Sequence, residues 1–302
     1  MTDIYINQRK SRKGCLALSL AAVVLLAVAG IYGLRQRRAT RPDPIGEEIV
    51  ETAPRPPSRA ETVKPEIRDD GAALLREARE LKEQEQLLRA RELGFEILEQ
   101  TQDETVREAA ETLLGDIHIK LAFSPRPMPE KEDYTVQPGD TLGALARRFN
   151  TTVELIRESN NLRGSLIRVG DRMRILQGEF SMEVSKSEND LVLYLNDRFF
   201  KRYPVGTGAY ERTPTGTFEI TERIPEPTWW SPDGRVIPFG HEDNVLGTHW
   251  LSINMPGYGI HGTWEPETIG YQASAGCVRL LNEDVKELYT LVPTGTKVVI
   301  RE

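Results

Sequence analysis

The longest apolar run of this chain extends from Gly14 to Leu34 and contains no charged residue. At about 1.5 Å per residue, a helix of this length is long enough to cross the hydrocarbon core of a bilayer. A cleaved signal peptide has a shorter apolar core that ends in a small-residue cleavage site, whereas this run is followed by Arg35, Arg37 and Arg38. The pattern therefore favours an uncleaved transmembrane anchor at 14–34 over a cleaved signal peptide.

Basic residues flank the apolar run on both sides, so charge alone does not fix its orientation. The short tail, residues 1–13, is the easier end to keep in the cytoplasm. Residues 35–70 then form a linker in which prolines lie among charged residues, namely Pro42, Pro44, Pro54, Pro56, Pro57 and Pro65. Such a composition buries too little apolar surface to fold, and it favours an extended chain of about 3 Å per residue. We expect a disordered spacer.

Residues 71–124 show helical periodicity. One helix face collects the apolar residues Val106, Ala109, Ala110, Leu113, Leu114 and Ile117. Upstream, the apolar residues between Leu74 and Leu98 predict one or two further helices, with Gly94 as a candidate interruption. The segment resembles a tetratricopeptide-type helical hairpin, although it has no clear repeat. It is interpreted either as a module that binds a protein partner or self-associates, or as a structural helical bundle.

Residues 132–177 predict a small β-α-α-β module. Strands are expected at 134–136 and 172–175, with a helix capped by Asp140 or Thr141 and a second helix at 153–159 between them. The residues Tyr134-Thr135-Val136, Gly139-Asp140-Thr141-Leu142, Ile156, Asn160 and Val169-Gly170 resemble a LysM domain, a module that binds glycans containing N-acetylglucosamine. The resemblance implies glycan contacts at Gly139, Asp140, Thr141 and Asn160.

The C-terminal region, residues 180–302, predicts mainly β-structure. Strands are expected at 182–184, 191–195, 199–205, 216–222, 249–254 and 297–301, with a turn at Asn196-Asp197 and a helix near Asn282 to Tyr289. Many short strands joined by loops rich in glycine and proline indicate a β-sandwich or barrel-like sheet rather than an α/β fold.

Charge and cysteine content exclude two classes of protein. The formal net charge of −7 argues against nucleic acid as the main partner, because phosphate binding needs clustered lysine and arginine. The chain has only two cysteines, Cys15 and Cys277, so it carries no disulfide framework. Because Cys15 lies in the apolar run, Cys277 is expected to be a free thiol.

The stretch from Ile260 to Leu280 places His261 and Cys277 among glycines. A thiol becomes a strong nucleophile when a nearby base or cation favours its thiolate, and histidine is the usual supplier. Neighbouring glycines let backbone amides approach a substrate oxygen. Taken singly, each residue also fits a structural role, since a lone cysteine often packs as a small hydrophobe and a lone histidine often lies satisfied in the core.

The ordered pattern resembles the catalytic domain of L,D-transpeptidases, which cross-link peptidoglycan with a cysteine nucleophile. The residues that match the family motif in order and spacing are His261, Gly262, Ser274, Gly276, Cys277, Val278 and Arg279. Ala275 departs from the motif, because the family usually carries histidine there. Over residues 180–302 the resemblance implies the family's β-rich fold, with the catalytic motif at one end of the sheet.

The same resemblance implies an acyl transfer. Cys277, as a thiolate beside the base His261, would attack the stem peptide after its third residue, while amides near Gly276 and Cys277 hold the oxyanion. Ser274 either donates to that oxyanion or closes a turn. Arg279 either orients a substrate carboxylate or pairs with an acidic residue of the following helix, Glu283 or Asp284.

Further candidates surround this motif. Tyr258, Gly259 and Gly262 fit the outline of the family's substrate cleft. The Trp229-Trp230 pair in the loop 224–247 is interpreted either as a flap over that cleft or as an aromatic plug beneath the loop. His241 and His249 have no carboxylate or histidine at tight metal-ligand spacing, so neither a metal site nor a cofactor is predicted.

Together the segments predict a membrane-anchored L,D-transpeptidase whose LysM and catalytic domains lie outside the cytoplasm, in the periplasm or cell wall. Its partners would be the stem peptides and glycan strands of peptidoglycan. Two alternatives remain open: a carboxypeptidase that uses water as the acceptor, and a non-catalytic wall scaffold, for which the departure at Ala275 would be a sign of decay. Retention of Cys277, His261 and Ser274 favours an enzyme.

Overall fold

A computed structural model describes residues 70–302. The predicted cytoplasmic tail, transmembrane anchor and proline-rich linker, apart from Asp70, lie outside the described residues. Between residues 70 and 302, no helix is both long enough and apolar enough to cross a membrane.

The first part of the described chain is helical and contains three helices, one more than a hairpin. Gly94 does not interrupt the second of them. It instead allows a close helix crossing, because a Cβ atom at this position would lie 2.7 Å from the side chain of Leu114. The helices of the described chain are α1 Gly71–Glu83, α2 Leu87–Gln100, α3 Glu104–Ala122, α4 Leu142–Arg148, α5 Val153–Ser159 and α6 Asn282–Leu291.

The strands follow the sequence-based expectation closely and add short strands around the predicted site. They are β1 Lys131–Thr135, β2 Arg172–Leu176, β3 Phe180–Ser185, β4 Asp190–Leu195, β5 Arg198–Pro204, β6 Thr207–Gly208, β7 Gly216–Pro225, β8 Trp229–Trp230, β9 Val236–Ile237, β10 His249–Ile253, β11 Gly259–His261, β12 Gln272–Ser274, β13 Val278–Arg279 and β14 Lys297–Arg301.

The small module consists of the antiparallel pair β1 and β2 with helices α4 and α5. Thr141 caps α4 by accepting a hydrogen bond from the backbone N–H of Ala144, and Thr152 caps α5 in the same way through Leu155. Such caps satisfy amides that a short helix leaves unpaired at its start. The apolar faces of the four elements enclose a separate core.

The larger unit is an eight-stranded sheet with the order β13-β11-β10-β7-β14-β3-β4-β5. The Asn196-Asp197 turn joins β4 to β5, and both residues have positive φ angles, as a tight hairpin turn requires. Helix α6 buries Val285, Leu288 and Leu291 against the sheet.

The helical segment and the small module both pack on this sheet. Helix α3 covers the edge strand β5, where the ring of His118 bonds the carbonyl of Phe200. On another side, α5 packs against α6, with the hydroxyl of Thr152 donating to the carbonyl of Thr290. Because an uncovered edge strand presents unpaired backbone groups, α3 protects one end of the sheet. The predicted catalytic residues lie at the opposite edge.

Candidate active site

Two short strands at the free edge of the sheet bring the predicted catalytic residues together. Strands β11 and β13 pair in parallel, so that His261 lies opposite Arg279. Paired residues project from the same face of a sheet, and residues two apart on one strand share a face. Cys277 is the residue just before β13, and the charge of Arg279 acts on both its thiol and the ring of His261.

The nucleophile candidate, Cys277, is half-buried. Its Sγ atom lies 3.7 Å from the carbonyl oxygen of Gly257. Burial raises the pKa of the Cys277 thiol, while the backbone N–H of Gly259 and the charge of Arg279 oppose that rise. The side chain at rest is thus a thiol rather than a thiolate.

The base candidate, His261, is buried, and the indole of Trp250 stacks on it with ring centroids 5.5 Å apart. Its Nδ1 atom lies 2.6 Å from the carbonyl oxygen of Gly262. Because a carbonyl only accepts hydrogen bonds, Nδ1 carries the proton and Nε2 holds the free lone pair. Among residues 70–302, no group donates a hydrogen bond to Nε2.

Burial also decides the charge of His261. Desolvation lowers its pKa to about 4, although the backbone carbonyls of Gly262 and Leu246 favour the protonated ring. At neutral pH the site therefore holds a neutral thiol and a neutral imidazole. The attacking thiolate of the expected mechanism would therefore form only as His261 takes the proton, because both groups lie where a charged form loses its hydration.

Ser274 shapes the turn that carries Cys277. Its hydroxyl donates to the carbonyl of Cys277 at 2.7 Å and accepts from the N–H of Gly276 at 3.1 Å. Of the two expected roles, the geometry matches the closing of a turn. Gly276 has φ of +141°, and a Cβ atom there would lie 2.8 Å from the ring of Tyr258, so only glycine fits.

Arg279 pairs with neither Glu283 nor Asp284, which corrects one of the expectations. Its Nη1 atom instead lies 3.1 Å from Oε2 of Glu265, and most of the guanidinium is buried. The Nε atom of Arg279 is buried without a hydrogen-bond partner. The register explains the difference, because Arg279 faces the His261 side of β13 and not the helix that begins at Asn282.

The other cleft candidates lie close to the catalytic pair. Gly259 and Gly262 are both buried, and neither tolerates a side chain, since an added Cβ would meet the carbonyl oxygen of Leu251 at 2.6 Å and Oδ1 of Asn282 at 2.2 Å respectively. Tyr258 packs its ring on Gly276. These residues shape the walls behind the nucleophile.

The Trp229-Trp230 pair forms strand β8 of a small hairpin with β9. Trp230 is 75% exposed, which excludes the plug beneath the loop for this residue. The loop is joined to the site region by the contact of Phe239 with Trp264, whose ring centroids lie 6.4 Å apart.

The predicted glycan-binding residues of the small module make bonds within it. Asp140 accepts from the hydroxyl of Tyr134 and the amide of Gln137, and Asn160 bonds both backbone groups of Arg174. Thr141 is a helix cap, whereas Gly139 faces open space. Glycan contacts at these positions stay a prediction.

His249 and His241, the two histidines that could suggest a metal site, each contact another residue. His249 packs against the ring of Tyr289, and Nδ1 of His241 accepts from the amide of Asp243. In the part of the chain that the structure describes, no three histidine, cysteine or acidic side chains are grouped as metal ligands would be.

Sequence reasoning missed Thr213 and Glu265. Thr213 is buried and bonds the carbonyl of Gly276, although it lies 63 positions away along the chain. Glu265 lies between the two halves of the recognised motif, three residues after Gly262, yet its partner depends on the strand register. Neither residue type carries a local signal for such a contact.

Comparison with known proteins agrees with the geometry. Residues 179–300 match the YkuD model, described as the L,D-transpeptidase catalytic domain, and residues 134–176 match the LysM domain model. A curated protein of Bacillus licheniformis named "Putative L,D-transpeptidase YkuD" is 37% identical over 176 residues, which span 55% of this chain and 97% of that protein. Its counterpart of the same name from Bacillus subtilis is 34% identical over the same shares.

Among solved structures, an L,D-transpeptidase from Mycobacterium smegmatis covers 45% of this chain and 65% of its own, with 17% identity and a TM-score of 0.36. The chain belongs to the YkuD family of L,D-transpeptidases, with a LysM domain preceding the catalytic domain.

Proposed function

We propose that this protein is a membrane-anchored L,D-transpeptidase that forms or remodels peptidoglycan cross-links through a thioester on Cys277. The LysM domain would hold the enzyme on glycan strands outside the cytoplasm, and residues 14–34 would hold it at the membrane. One observation carries the catalytic part of the proposal. The buried neutral ring of His261 keeps an Nε2 lone pair that no donor among the described residues occupies, on β11, the strand whose Gly259 N–H bonds the Cys277 thiol.

In the first half-reaction, Sγ of Cys277 attacks the carbonyl carbon of the third residue of a stem peptide while its proton passes to Nε2 of His261. The tetrahedral intermediate collapses when His261 returns the proton to the leaving amine, which departs as D-alanine. A thioester remains on Cys277. In the second half-reaction, the amine of another stem peptide gives a proton to His261, attacks the thioester and restores the thiol.

The neutral pair suits this sequence of proton transfers. A base with a pKa of about 4 stays unprotonated across the neutral range and so can accept the thiol proton, and because it is a weak base the transfer has to accompany the attack of Sγ on the carbonyl carbon. The positive charge of Arg279 acts on both members of the pair, since it opposes the rise in the pKa of Cys277 and lowers that of His261. It would favour the developing thiolate, and its guanidinium would donate to a carboxylate oxygen of the substrate.

The contacts between α5 and α6 support targeting by the LysM domain. Glu154 at the start of α5 pairs with Arg223 of β7, with 3.0 Å between Oε2 and Nη2, beside the buried bond from Thr152 to Thr290. A tight contact of this kind would give the glycan-binding loops a fixed direction relative to the catalytic edge. Glycan bound by the LysM domain would then present its stem peptides over a limited range.

Two other outcomes have observations in their favour. Cys277 is reached by solvent, so water would compete with an acceptor amine and give carboxypeptidase activity. Ala275 is exposed beside the nucleophile and lacks the histidine that the family usually places there, as a non-catalytic scaffold would.

The test is mass spectrometry of purified disaccharide-tetrapeptides incubated with the full chain in detergent, beside a Cys277→Ser variant. The proposal expects an acyl adduct on Cys277 and cross-linked dimers, both absent from the variant. Tripeptide products without dimers would show hydrolysis instead of transfer. Glycan binding with neither adduct nor turnover would identify a scaffold.

A further inference from the structure

The turn that carries the nucleophile has its backbone held by two hydroxyl groups. Ser274 bonds the N–H of Gly276 and the carbonyl of Cys277, as described above. The second hydroxyl belongs to Thr213, in the loop that precedes β7. Its Oγ1 atom donates to the carbonyl of Gly276 at 2.9 Å and accepts from the N–H of Gly208 at 2.7 Å.

The surroundings of Thr213 leave it little freedom. The side chain is 1% exposed, and the backbone of Gly208 lies so close that a Cβ atom there would meet Cα of Gly276 at 2.8 Å. On the other side of the turn, the ring of Tyr258 packs on Gly276. The hydroxyl of Thr213 therefore connects the amide of β6 to the peptide unit that joins Gly276 to Cys277.

The hydrogen bonds of the turn leave one of its backbone groups free to bind a substrate oxygen. The N–H and carbonyl of Gly276 and the carbonyl of Cys277 all have partners among the described residues. The N–H of Cys277 has none within residues 70–302. An amide without a partner, beside the attacking sulfur, is placed to bind the oxygen that becomes negative when a carbonyl is attacked.

Peptide geometry makes this amide depend on Thr213. In a planar trans peptide the carbonyl and the N–H point in opposite directions, so fixing the oxygen of Gly276 also fixes the direction of the N–H of Cys277. We propose that Thr213 is a positioning residue that aims the Cys277 amide at the oxyanion of the acyl transfer. The inference rests on the proposed function for its substrate, but its geometry concerns any acyl donor that reaches Cys277.

Two reactions of the same thiol separate this role from a merely structural one. Acylation by p-nitrophenyl acetate transfers the acetyl group to Sγ, releases p-nitrophenol and passes through an oxyanion. Alkylation by iodoacetamide displaces iodide at an sp³ carbon and forms no oxyanion. A residue that aims the oxyanion donor affects acylation alone, whereas a residue that merely holds Cys277 in place affects both.

The variants are Thr213→Val, which keeps the shape and removes the hydroxyl, and Thr213→Ser, which restores the hydroxyl. Removing a whole oxyanion donor costs roughly 10²- to 10³-fold in rate. For a donor that is present but misdirected, we expect Thr213→Val to slow acylation roughly 10- to 100-fold and to leave alkylation within about twofold. Thr213→Ser should recover most of the acylation rate. Thr296→Val is the matched control, because Thr296 is also buried and donates to a backbone carbonyl, that of Pro293.

Equal slowing of both reactions in Thr213→Val, or slowing of neither, would overturn the proposal. If the valine variant does not fold, Thr213→Ala compared with Thr213→Ser gives the same contrast between a missing and a present hydroxyl. Failure of the proposed function is seen separately, as a wild-type protein that is acylated by the ester but makes no product from stem peptides.

Discussion

The two edges of the central sheet each carry a buried histidine, and the two side chains start from the same chemistry. His118 lies under α3 at the β5 edge, with Nδ1 2.7 Å from the carbonyl of Phe200. His261 lies at the β13 edge, with Nδ1 2.6 Å from the carbonyl of Gly262. Burial lowers the pKa of both, to about 3 for His118 and about 4 for His261.

The other ring nitrogen distinguishes them. Nε2 of His118 accepts a hydrogen bond from Nε of Arg91 at 2.9 Å, and Arg91 also pairs with Glu130. The ring is stacked on Phe200 as well, with centroids 4.9 Å apart. Every polar atom of His118 is used to join the helices to the sheet. Nε2 of His261 has no such partner among the described residues.

The comparison teaches that burial and a lowered pKa do not by themselves identify a catalytic histidine. Structural networks perturb pKa values as strongly as active sites do. A general base also needs a lone pair within reach of the proton that it takes. Replacing the histidine by asparagine should therefore lower the activity at one edge and the stability at the other.

The largest expected effect is that of His261→Asn on turnover. Asparagine keeps a donor near the position of Nδ1 and removes Nε2, so the bond to Gly262 is retained while the base is lost. General base catalysis typically contributes 10²- to 10⁴-fold, and we expect a loss of about 10³-fold in kcat/KM for disaccharide-tetrapeptides. Steady-state assays would measure it, and a melting temperature close to that of the wild type would show that the fold is intact. Near-normal turnover would remove His261 from the mechanism.

The same change at the other edge, His118→Asn, should reduce stability instead. It keeps a donor for Phe200 and removes the acceptor of Nε of Arg91, so that this buried N–H is left without a partner while the guanidinium stays paired with Glu130. Such a loss costs about 1 to 3 kcal/mol of the free energy of unfolding, which urea denaturation would measure at neutral pH. Activity per folded molecule should stay within about twofold of the wild type. A drop in activity as large as that of His261→Asn would break the comparison.

The pH dependence of the free energy of unfolding is a further test of the difference between the two histidines. The folded pKa of His118 lies below the unfolded value of 6.5, so the unfolded chain binds more protons and stability falls as the pH drops from about 6.5. With a folded pKa of about 3, His118 alone contributes a loss of roughly 3 kcal/mol by pH 4. Urea denaturation at pH 7 and pH 4 should therefore show a smaller decrease in His118→Asn than in the wild type. An identical decrease in both proteins would mean that His118 is readily protonated in the folded state.

The smallest effect is expected for the ion pair between Glu265 and Arg279, beside His261. Glu265→Gln would release Arg279 from a partly exposed pair, and such pairs contribute about 0 to 1 kcal/mol. If Arg279 orients a substrate carboxylate, the freed guanidinium should lower KM by about two- to fivefold with little change in kcat. A substrate whose carboxylates are amidated is the control and should show no such decrease. A higher KM for the ordinary substrate would mean that Glu265 holds Arg279 in its working position.

The helices and strands could be predicted because the sequence patterns that indicate them are local. Helix α5 and strand β14 fall at the predicted residues, and the family motifs identified the LysM and catalytic domains. Gly94 was misjudged because a glycine weakens a helix locally, whereas its value here comes from contact with Leu114 on another helix.

The parts that could not be predicted depend on contacts between distant residues. The partner of Nε2 in His118 is an arginine 27 positions away, and its carbonyl partner lies 82 positions away. The roles of Thr213 and Glu265 follow likewise from how β6 and β13 are placed, which no periodicity in the sequence encodes. The charge states of Cys277 and His261 could not be predicted for the same reason, because the burial of these residues is a property of the packed edge.

The most direct test of the neutral Cys277–His261 pair is the pH dependence of single-turnover acylation of Cys277 by a disaccharide-tetrapeptide. Protein held at pH 7 would be mixed into buffers from pH 3 to pH 10, and the thioester would be counted by mass spectrometry. Since the base must be neutral, we predict a plateau above about pH 5 and a loss of rate as the pH falls through about 4. In His261→Asn the plateau should vanish, and the rate should rise with pH as the thiolate forms. An acid limb that is unchanged in His261→Asn would contradict the account.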